Sequence, residues 1–479
     1  MRTRVLHVWE ILASSYWFVP SLMMVAGAGL ALAMVALDQR LLAAGSRPGW
    51  VSAVEPDGAR QLLATLAGSV ITVAGVGFSI TMVTLTQAST QFGPRLLRNF
   101  MRDTGNQVVL GTWVATFIYA ILVLRTVRAG EERAFVPHAS VSAAVVLAVA
   151  CILALVYFIH HVSFSLQAPQ VVAGVGRELD GVISRMFPGR IGREGDEARG
   201  RPAPATLPER FEERARPVAV PRSGYLQAVD DAILMDLATG SDLLLRLAAR
   251  PGQFVIEGTP LVHVFPRERA GDDVDARVRK AFLIGDQATP EQDVEFAVDQ
   301  IAEIGLRALS PGFNDTFTAI HCLDWLGAGL ARLAQEDLPS PFRYDAGGAL
   351  RVMTPVSTFA GLCDAAFNQI RQIGRDRAAV TIRMLEVIAD VARRLRTEEQ
   401  REALRGHARL VCDDALAALP SAHDRADVED RYRRAAAVLG GEVTEAATRA
   451  AGGPPAAPGS AGARPSGTPS APAAAGRPR

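Results

Sequence analysis

Hydrophobic residues are concentrated in four uncharged runs within the first third of the chain. The runs cover about residues 17–37, 62–92, 104–124 and 139–159. A helix needs ~20 apolar residues to span the hydrocarbon core of a bilayer, so each run is long enough for one crossing. The pattern therefore predicts a membrane domain with four transmembrane helices over residues 1–166.

The second run differs from the others because hydroxyls and glycines recur along one line of the predicted helix. At about 100° per residue, this line contains Thr65, Gly68, Ser69, Thr72, Gly75, Ser79, Thr86 and Thr90, interrupted by Val76 and Val83. We call these eight small and polar residues the polar stripe. The opposite face carries Val70, Ala74 and Gly77, with Thr81 as its polar exception. Such a stripe predicts either close packing between helices, which is its commoner role, or the lining of a water pathway by several copies.

The last two thirds of the chain have the pattern of a soluble protein. Residues 167–216 predict a helical extension and a polar linker, and residues 217–266 predict a small module of short strands. Apolar residues at helical spacing follow over residues 272–439. Pro, Ala, Gly and Ser dominate residues 440–479, which cannot bury a core and are predicted to be disordered. The predicted fold class is a mainly α membrane protein with a cytosolic α+β domain, in which the small β module precedes the helices.

Charge and cysteine content narrow the choice of partners. The formal net charge is zero, whereas nucleic-acid-binding proteins have a basic excess, so we expect no nucleic-acid partner. The cysteines are widely spaced and form no CxxC pair, which predicts neither a zinc site nor a disulfide framework. Free thiols suit a reducing cytosol. They are Cys151, Cys322, Cys363 and Cys412.

Four crossings place both termini on one side of the membrane, and we expect that side to be the cytosol. Arginines flanking the runs are slightly more numerous there, in the direction of the positive-inside rule. The thiols and the large C-terminal domain favour the same orientation. His160 and His161 lie where the fourth run ends. Adjacent residues of a helix do not face one another, so we expect one interfacial histidine and one in a helix contact, with pH sensing left open.

A turn in the soluble part has the composition of a polar ligand site or of a helix cap. Its candidate residues are Arg307, Ser310, Gly312, Asn314, Asp315 and Thr318. Exposed amides and hydroxyls at the start of a helix can bind an anion or a polar ligand. The commoner explanation is that Asn314 or Asp315 caps the helix while Pro311 and Gly312 turn the chain.

Two segments resemble a known family. They are residues 78–103, which contain FSIT and TQFGPRLLRNFMRD, and residues 307–319, which read RALSPGFNDTFTA. Both are similar to the bacterial predicted membrane proteins called domain of unknown function 2254. The resemblance covers the layout from Val8 to Leu439 and implies location in the inner membrane. It implies no activity and no catalytic residues.

Function remains open between two classes. The chain contains no nucleophile elbow, phosphate loop or HExxH motif, so we expect no enzyme, cofactor or metal site. The acidic residues Asp286, Glu291, Asp293 and Glu295 predict a solvated face or a helix start. One hypothesis is a homo-oligomeric channel or passive transporter with a cytosolic regulatory domain, acting on an unknown ion or small molecule. The alternative is a membrane-anchored regulatory protein whose cytosolic domain binds a ligand or partner.

Overall fold

Each of the four apolar runs forms a helix in the computed structural model. The structure describes residues 17–44, 55–93, 103–128, 135–165, 167–186, 208, 210–290 and 292–440. The membrane helices are α1 (Phe18–Ala43), α2 (Pro56–Phe92), α3 (Thr104–Leu124) and α4 (His138–Ser165). All four are long and apolar enough to cross a membrane, which confirms the prediction. Most of the predicted linker and residues 441–479 of the predicted tail lie outside the described residues.

Helix α3 lies at the centre of the membrane domain and is the most deeply buried of the four. Trp113 of α3 is fully buried and donates a hydrogen bond from Nε1 to the Cys151 carbonyl of α4 at 3.2 Å. Its ring lies against Gly77 of α2, where a Cβ atom would collide with it. Gly27 of α1 is likewise pressed against the backbone of Ala115. Small residues therefore allow α1 and α2 to approach α3 closely.

Helix α1 continues to Ala43, beyond the charged residue at which the apolar run ends. Asp38 therefore belongs to a membrane helix, and its side chain is buried, with the residue 7% exposed. Its carboxylate accepts hydrogen bonds from the Ala139 and Ser140 amides, both at 2.8 Å, and from the Ser140 hydroxyl at 2.6 Å. The uncharged run ends at Leu37, so the sequence pattern did not assign Asp38 to this helix. Asp38 caps the start of α4, a contact between helices that local pattern does not show.

The small β module consists of two sheets with helices packed on them. The strands are β1 (Arg216–Ala219), β2 (Gly224–Val229), β3 (Leu244–Leu247), β4 (Phe254–Val255), β5 (Pro260–Phe265), β6 (Phe282–Gly285), β7 (Phe342–Tyr344) and β8 (Leu350–Met353). The five-stranded sheet has the order β1-β5-β3-β8-β7 and the three-stranded sheet the order β4-β2-β6. The short helices are α6 (Phe211–Arg214), α7 (Asp231–Gly240) and α8 (Asp272–Lys280), and the extension predicted after the membrane domain is α5 (Ala168–Met186).

Strands β6, β7 and β8 lie beyond residue 266, where we placed the end of the β module. Strand β8 pairs in parallel with β3, with Leu245 opposite Val352. Both residues are buried, so the pairing covers an apolar edge of β3 that would otherwise remain open. Short strands separated by about a hundred positions carry no local signal of their pairing, so periodicity alone did not assign them.

The helical domain shares one hydrophobic core with α5 and with the last turns of α2. Its helices are α9 (Val294–Ala308), α10 (Thr316–Leu333), α11 (Phe359–Gly374), α12 (Ala378–Ala392), α13 (Glu398–Ala418) and α14 (Ala422–Val438). Ala88 and Phe92 of α2 are buried in this core. At about 1.5 Å per residue, the 37 residues of α2 extend for about 55 Å, well beyond the ~30 Å hydrocarbon core. Helix α2 thus joins the membrane domain to the helical domain.

Replacing Asp38 tests its role as the cap of α4. We expect Asp38→Ala to lower the thermal stability of the purified protein, since an unsatisfied buried amide costs about 1–3 kcal/mol. The matched control is Asp57→Ala near the same end of the bundle, because the Asp57 side chain is 92% exposed. The measurement is the unfolding temperature in one detergent. Equal temperatures for both variants would contradict the role of Asp38.

Candidate functional site

The polar stripe faces away from the other membrane helices that the structure describes. The residues of α2 that are buried lie opposite it: Ala59, Leu63, Ala67, Val70, Ala74, Gly77, Thr81, Ala88 and Phe92. All eight stripe residues are exposed. A Cβ atom added at Gly68 or Gly75 would meet nothing within 4 Å, in contrast to Gly77. Packing among the described residues therefore does not account for the small residues of the stripe.

Four of the stripe hydroxyls donate to backbone carbonyls of the same helix. Ser79 donates to Gly75 at 3.0 Å and Thr86 to Met82 at 3.0 Å. Thr72 and Thr90 make comparable bonds, at 2.8 and 2.9 Å. A hydroxyl whose hydrogen is used in this way still offers oxygen lone pairs. The stripe therefore presents uncharged hydrogen-bond acceptors on the outer surface of α2, interrupted by the exposed side chains of Val76 and Val83.

The turn before α10 is organised by Asp315. One carboxylate oxygen accepts from the Thr318 amide at 3.0 Å and the other from the Thr318 hydroxyl at 2.6 Å. Partial burial favours the neutral acid, but these bonds, the Phe317 amide and the charge of His321 outweigh burial and lower the pKa of Asp315. Asp315 thus has the geometry of a helix cap.

The other residues of the turn do not converge on an open site. Asn314 has a φ of 49° and accepts a hydrogen bond from Arg377. Ser310 donates to the Arg307 carbonyl at 2.6 Å. Gly312 is exposed and has open space around it. The side chain of Arg307 contacts α2 instead.

Arg307 brings the two predicted sites into contact. Its Nη1 atom donates to the Thr90 carbonyl at 3.5 Å, and its guanidinium also bonds Glu303 at 3.2 Å. A Cβ atom at Gly93 would lie 2.6 Å from Glu303 Oε1. The C-terminal end of the polar stripe is therefore packed on the last turns of α9. Sequence periodicity did not predict this contact because the residues are 217 positions apart.

Sequence analysis also missed a polar pair at the ends of α3 and α4. His161 Nε2 lies 2.6 Å from Asp103 Oδ2, and the His161 ring stacks on Tyr157 with centroids 5.3 Å apart. Asp103 also caps α3 through the Gly105 amide at 2.8 Å. His161 is therefore the histidine in the predicted helix contact, while His160 stacks on Phe164. The position of Asp103 directly before an apolar run was the only local signal.

The acidic residues near the start of α9 take part in separate structural contacts. Asp293 caps α9 through the Glu295 amide at 3.1 Å and lies 3.5 Å from Arg250, which also pairs with Glu295. Burial raises the pKa of Asp293 to about 6, although Arg250 opposes the shift. Asp286 is exposed and pairs with Arg222, whereas Glu291 lies outside the described residues. Within the described ranges, no group of three or more His, Cys, Asp or Glu side chains is placed to hold a metal ion.

Substitution of Asp315 separates a cap from a ligand site. We expect Asp315→Ala to reduce the free energy of unfolding by about 1 kcal/mol, while Asp315→Asn keeps most of the stability because an amide oxygen can still accept from Thr318. Differential scanning fluorimetry measures the stability of each variant, and the phenotype of cells carrying that variant is compared with that of cells carrying the unmodified protein. If Asp315→Ala keeps full stability and loses the phenotype, the ligand-site interpretation replaces the cap.

Comparison with known proteins places the chain in a family. Residues 13–390 match the family model described as predicted membrane protein, domain of unknown function 2254. An uncharacterized protein of Mycobacterium bovis is 34% identical over 392 residues, which is 80% of this chain and 73% of the relative. An uncharacterized protein of Mycobacterium tuberculosis matches with the same figures. No solved structure matches. The chain therefore belongs to the domain of unknown function 2254 family of predicted membrane proteins.

Proposed function

We propose that the protein is a homo-oligomeric channel or passive transporter of the bacterial inner membrane, with its cytosolic domain as a regulator. The observation that carries the proposal is the outward orientation of the polar stripe. Four helices of one chain leave the stripe uncovered. Several copies arranged around a common axis bring their stripes together, because small residues permit close approach and the hydroxyl oxygens can face water.

The chemistry of the stripe favours a passive pathway. The segment from Gln61 to Pro94 contains no charged residue. Coupled transport and proton relays usually place ionisable groups inside the membrane, and Asp38 is occupied as a cap. A line of uncharged acceptor oxygens suits water, polar solutes with donor groups, or cations better than anions. The proposal assigns no catalysis, no cofactor and no nucleic-acid partner.

Helix α2 supplies a route for regulation by the cytosolic domain. Its last turns are buried in the soluble core, and Arg307 contacts the carbonyl of Thr90, a stripe residue. A ligand that shifts α9 would move the cytosolic end of the stripe. Such coupling needs two arrangements of α9 with different affinity for the ligand.

The alternative function is a membrane-anchored protein that binds a ligand or partner through its cytosolic domain. The bonds from stripe hydroxyls to their own helix favour it, because they satisfy those hydroxyl hydrogens without water. In this case the stripe is a dry interface between copies. Both functions predict an oligomer, and they differ in whether water reaches the stripe.

Labelling of α2 distinguishes a water pathway from a dry interface. We expect a membrane-impermeant charged thiol reagent to modify Ser79→Cys in the assembled protein but not Ala74→Cys, which lies on the buried face of the same helix. The four native cysteines are buried, so the unmodified protein serves as the blank. The measurement is the labelled fraction by mass spectrometry in proteoliposomes.

A larger side chain at position 79 provides a second test of whether the stripe lines a water pathway or a dry interface. Ser79→Leu in a pathway should reduce flux while leaving the oligomer intact, because an apolar constriction loses its water. At a close contact, the same change should dissociate the oligomer through overpacking. Absence of labelling at Ser79→Cys together with dissociation by Ser79→Leu would falsify the channel proposal.

The proposed orientation places both termini in the cytosol. We expect reporter fusions at Gly49 and at Gly452 to give opposite sidedness, because Gly49 lies between the first two crossings and Gly452 follows the fourth. Alkaline phosphatase should be active only at Gly49, and a cytosolic fluorescent reporter only at Gly452. The same sidedness at both positions would contradict four crossings.

A further inference from the structure

The helical domain exposes aromatic side chains at one end. Phe317 at the start of α10 is 78% exposed, and Phe313 in the preceding turn is 47% exposed. Ile373 at the end of α11 is 43% exposed. In a soluble domain, exposed apolar side chains that cluster at one end mark a contact surface. We call Phe313, Phe317 and Ile373 the apolar tip.

The turns that carry these residues are packed together. Arg377 at the start of α12 donates to the Asn314 side chain, and its Nη2 atom lies 3.5 Å from the Leu309 carbonyl. A Cβ atom at Gly374 would lie 3.4 Å from Leu309. Because the turn after α9 touches the turn after α11, the members of the apolar tip belong to one end of the domain.

The register between α5 and α10 places this end at the level where the chain leaves the membrane. Trp325 of α10 packs on Gly176 of α5, and one turn further along Gly329 packs on Leu179. Near the far ends, Arg332 bonds the Ser184 hydroxyl at 2.7 Å. The two helices are therefore parallel with a nearly constant offset. That offset sets Phe317 level with the first turn of α5, directly after membrane helix α4 ends at Ser165.

A second contact, which does not involve α5, also places this end of the helical domain near the membrane. Arg307 in the last turn of α9 reaches the Thr90 carbonyl in membrane helix α2. The turn carrying Phe313 follows Arg307 by six positions, so it lies next to the membrane end of the domain. Arg375 is exposed on the adjoining turn.

We propose that the apolar tip rests in the headgroup region of the cytosolic leaflet. Aromatic side chains are favoured at this level of a bilayer, and a neighbouring arginine such as Arg375 suits lipid phosphates. The contact would hold the helical domain against the membrane at a third place, besides α2 and the junction of α4 with α5. The position of α9 relative to the stripe would then depend on the lipid surface. This inference depends partly on the proposed cytosolic location of the domain. It does not depend on the channel proposal.

Spin labelling of the full-length protein in nanodiscs of phosphatidylcholine and phosphatidylglycerol tests the proposal. A nitroxide is attached to Phe317→Cys, and its collision rates with oxygen and with a water-soluble nickel chelate are compared. The matched control is Phe254→Cys in β4, because Phe254 is a similarly exposed aromatic residue at 56%. Oxygen concentrates in lipid and the chelate in water. We expect the ratio of oxygen to nickel collisions to be several-fold higher at position 317 than at position 254.

Two results would overturn the membrane contact. An equally low ratio at both positions means that Phe317 faces water. Spin–spin broadening at position 317 that disappears on dilution with unlabelled protein means that a second copy covers the tip. The spin-label experiment measures depth in the bilayer. It therefore stays valid even if the labelling of Ser79→Cys contradicts the channel proposal.

Discussion

The close contact between α2 and α3 sets the orientation on which the rest of the structure depends. Gly77 leaves room for the Trp113 ring, and Trp113 is tied to α4 through the Cys151 carbonyl. A side chain at position 77 would have to displace a close-packed aromatic ring, which a dense interior resists. With this face of α2 held inward, the polar stripe on the opposite face is turned away from α1, α3 and α4.

Because α2 continues into the helical domain, its orientation in the membrane also affects the position of that domain. Ala88 and Phe92 are buried in the core of the helical domain, and Arg307 bonds the Thr90 carbonyl. The rotation of α2 set by Trp113 therefore also sets where α9 lies. Because α9 and α10 share their core with α5, the apolar tip is brought to the level of the membrane exit.

The turn before α10 and the polar stripe differ in how much hydrogen-bonding capacity their polar atoms keep for a ligand. Asp315 uses both carboxylate oxygens within its own helix start, so little of its binding capacity remains. Ser79 and Thr86 use only their hydroxyl hydrogens, so their oxygens stay available on an exposed surface. This difference makes the turn a structural element and leaves the stripe as the better candidate for function.

The sequence by itself determined the four membrane helices, the helices of the soluble part and the polar line on α2, because hydrophobic period and helix caps are local properties. Tertiary structure alone decided the direction of that line, since Trp113 and Gly77 meet through packing that periodicity does not encode. The same holds for the pairing of β3 with β8, the cap that Asp38 provides for α4, and the contact of Arg307 with Thr90. Each of these joins residues that are about a hundred or more positions apart, and a local pattern does not specify a distant partner.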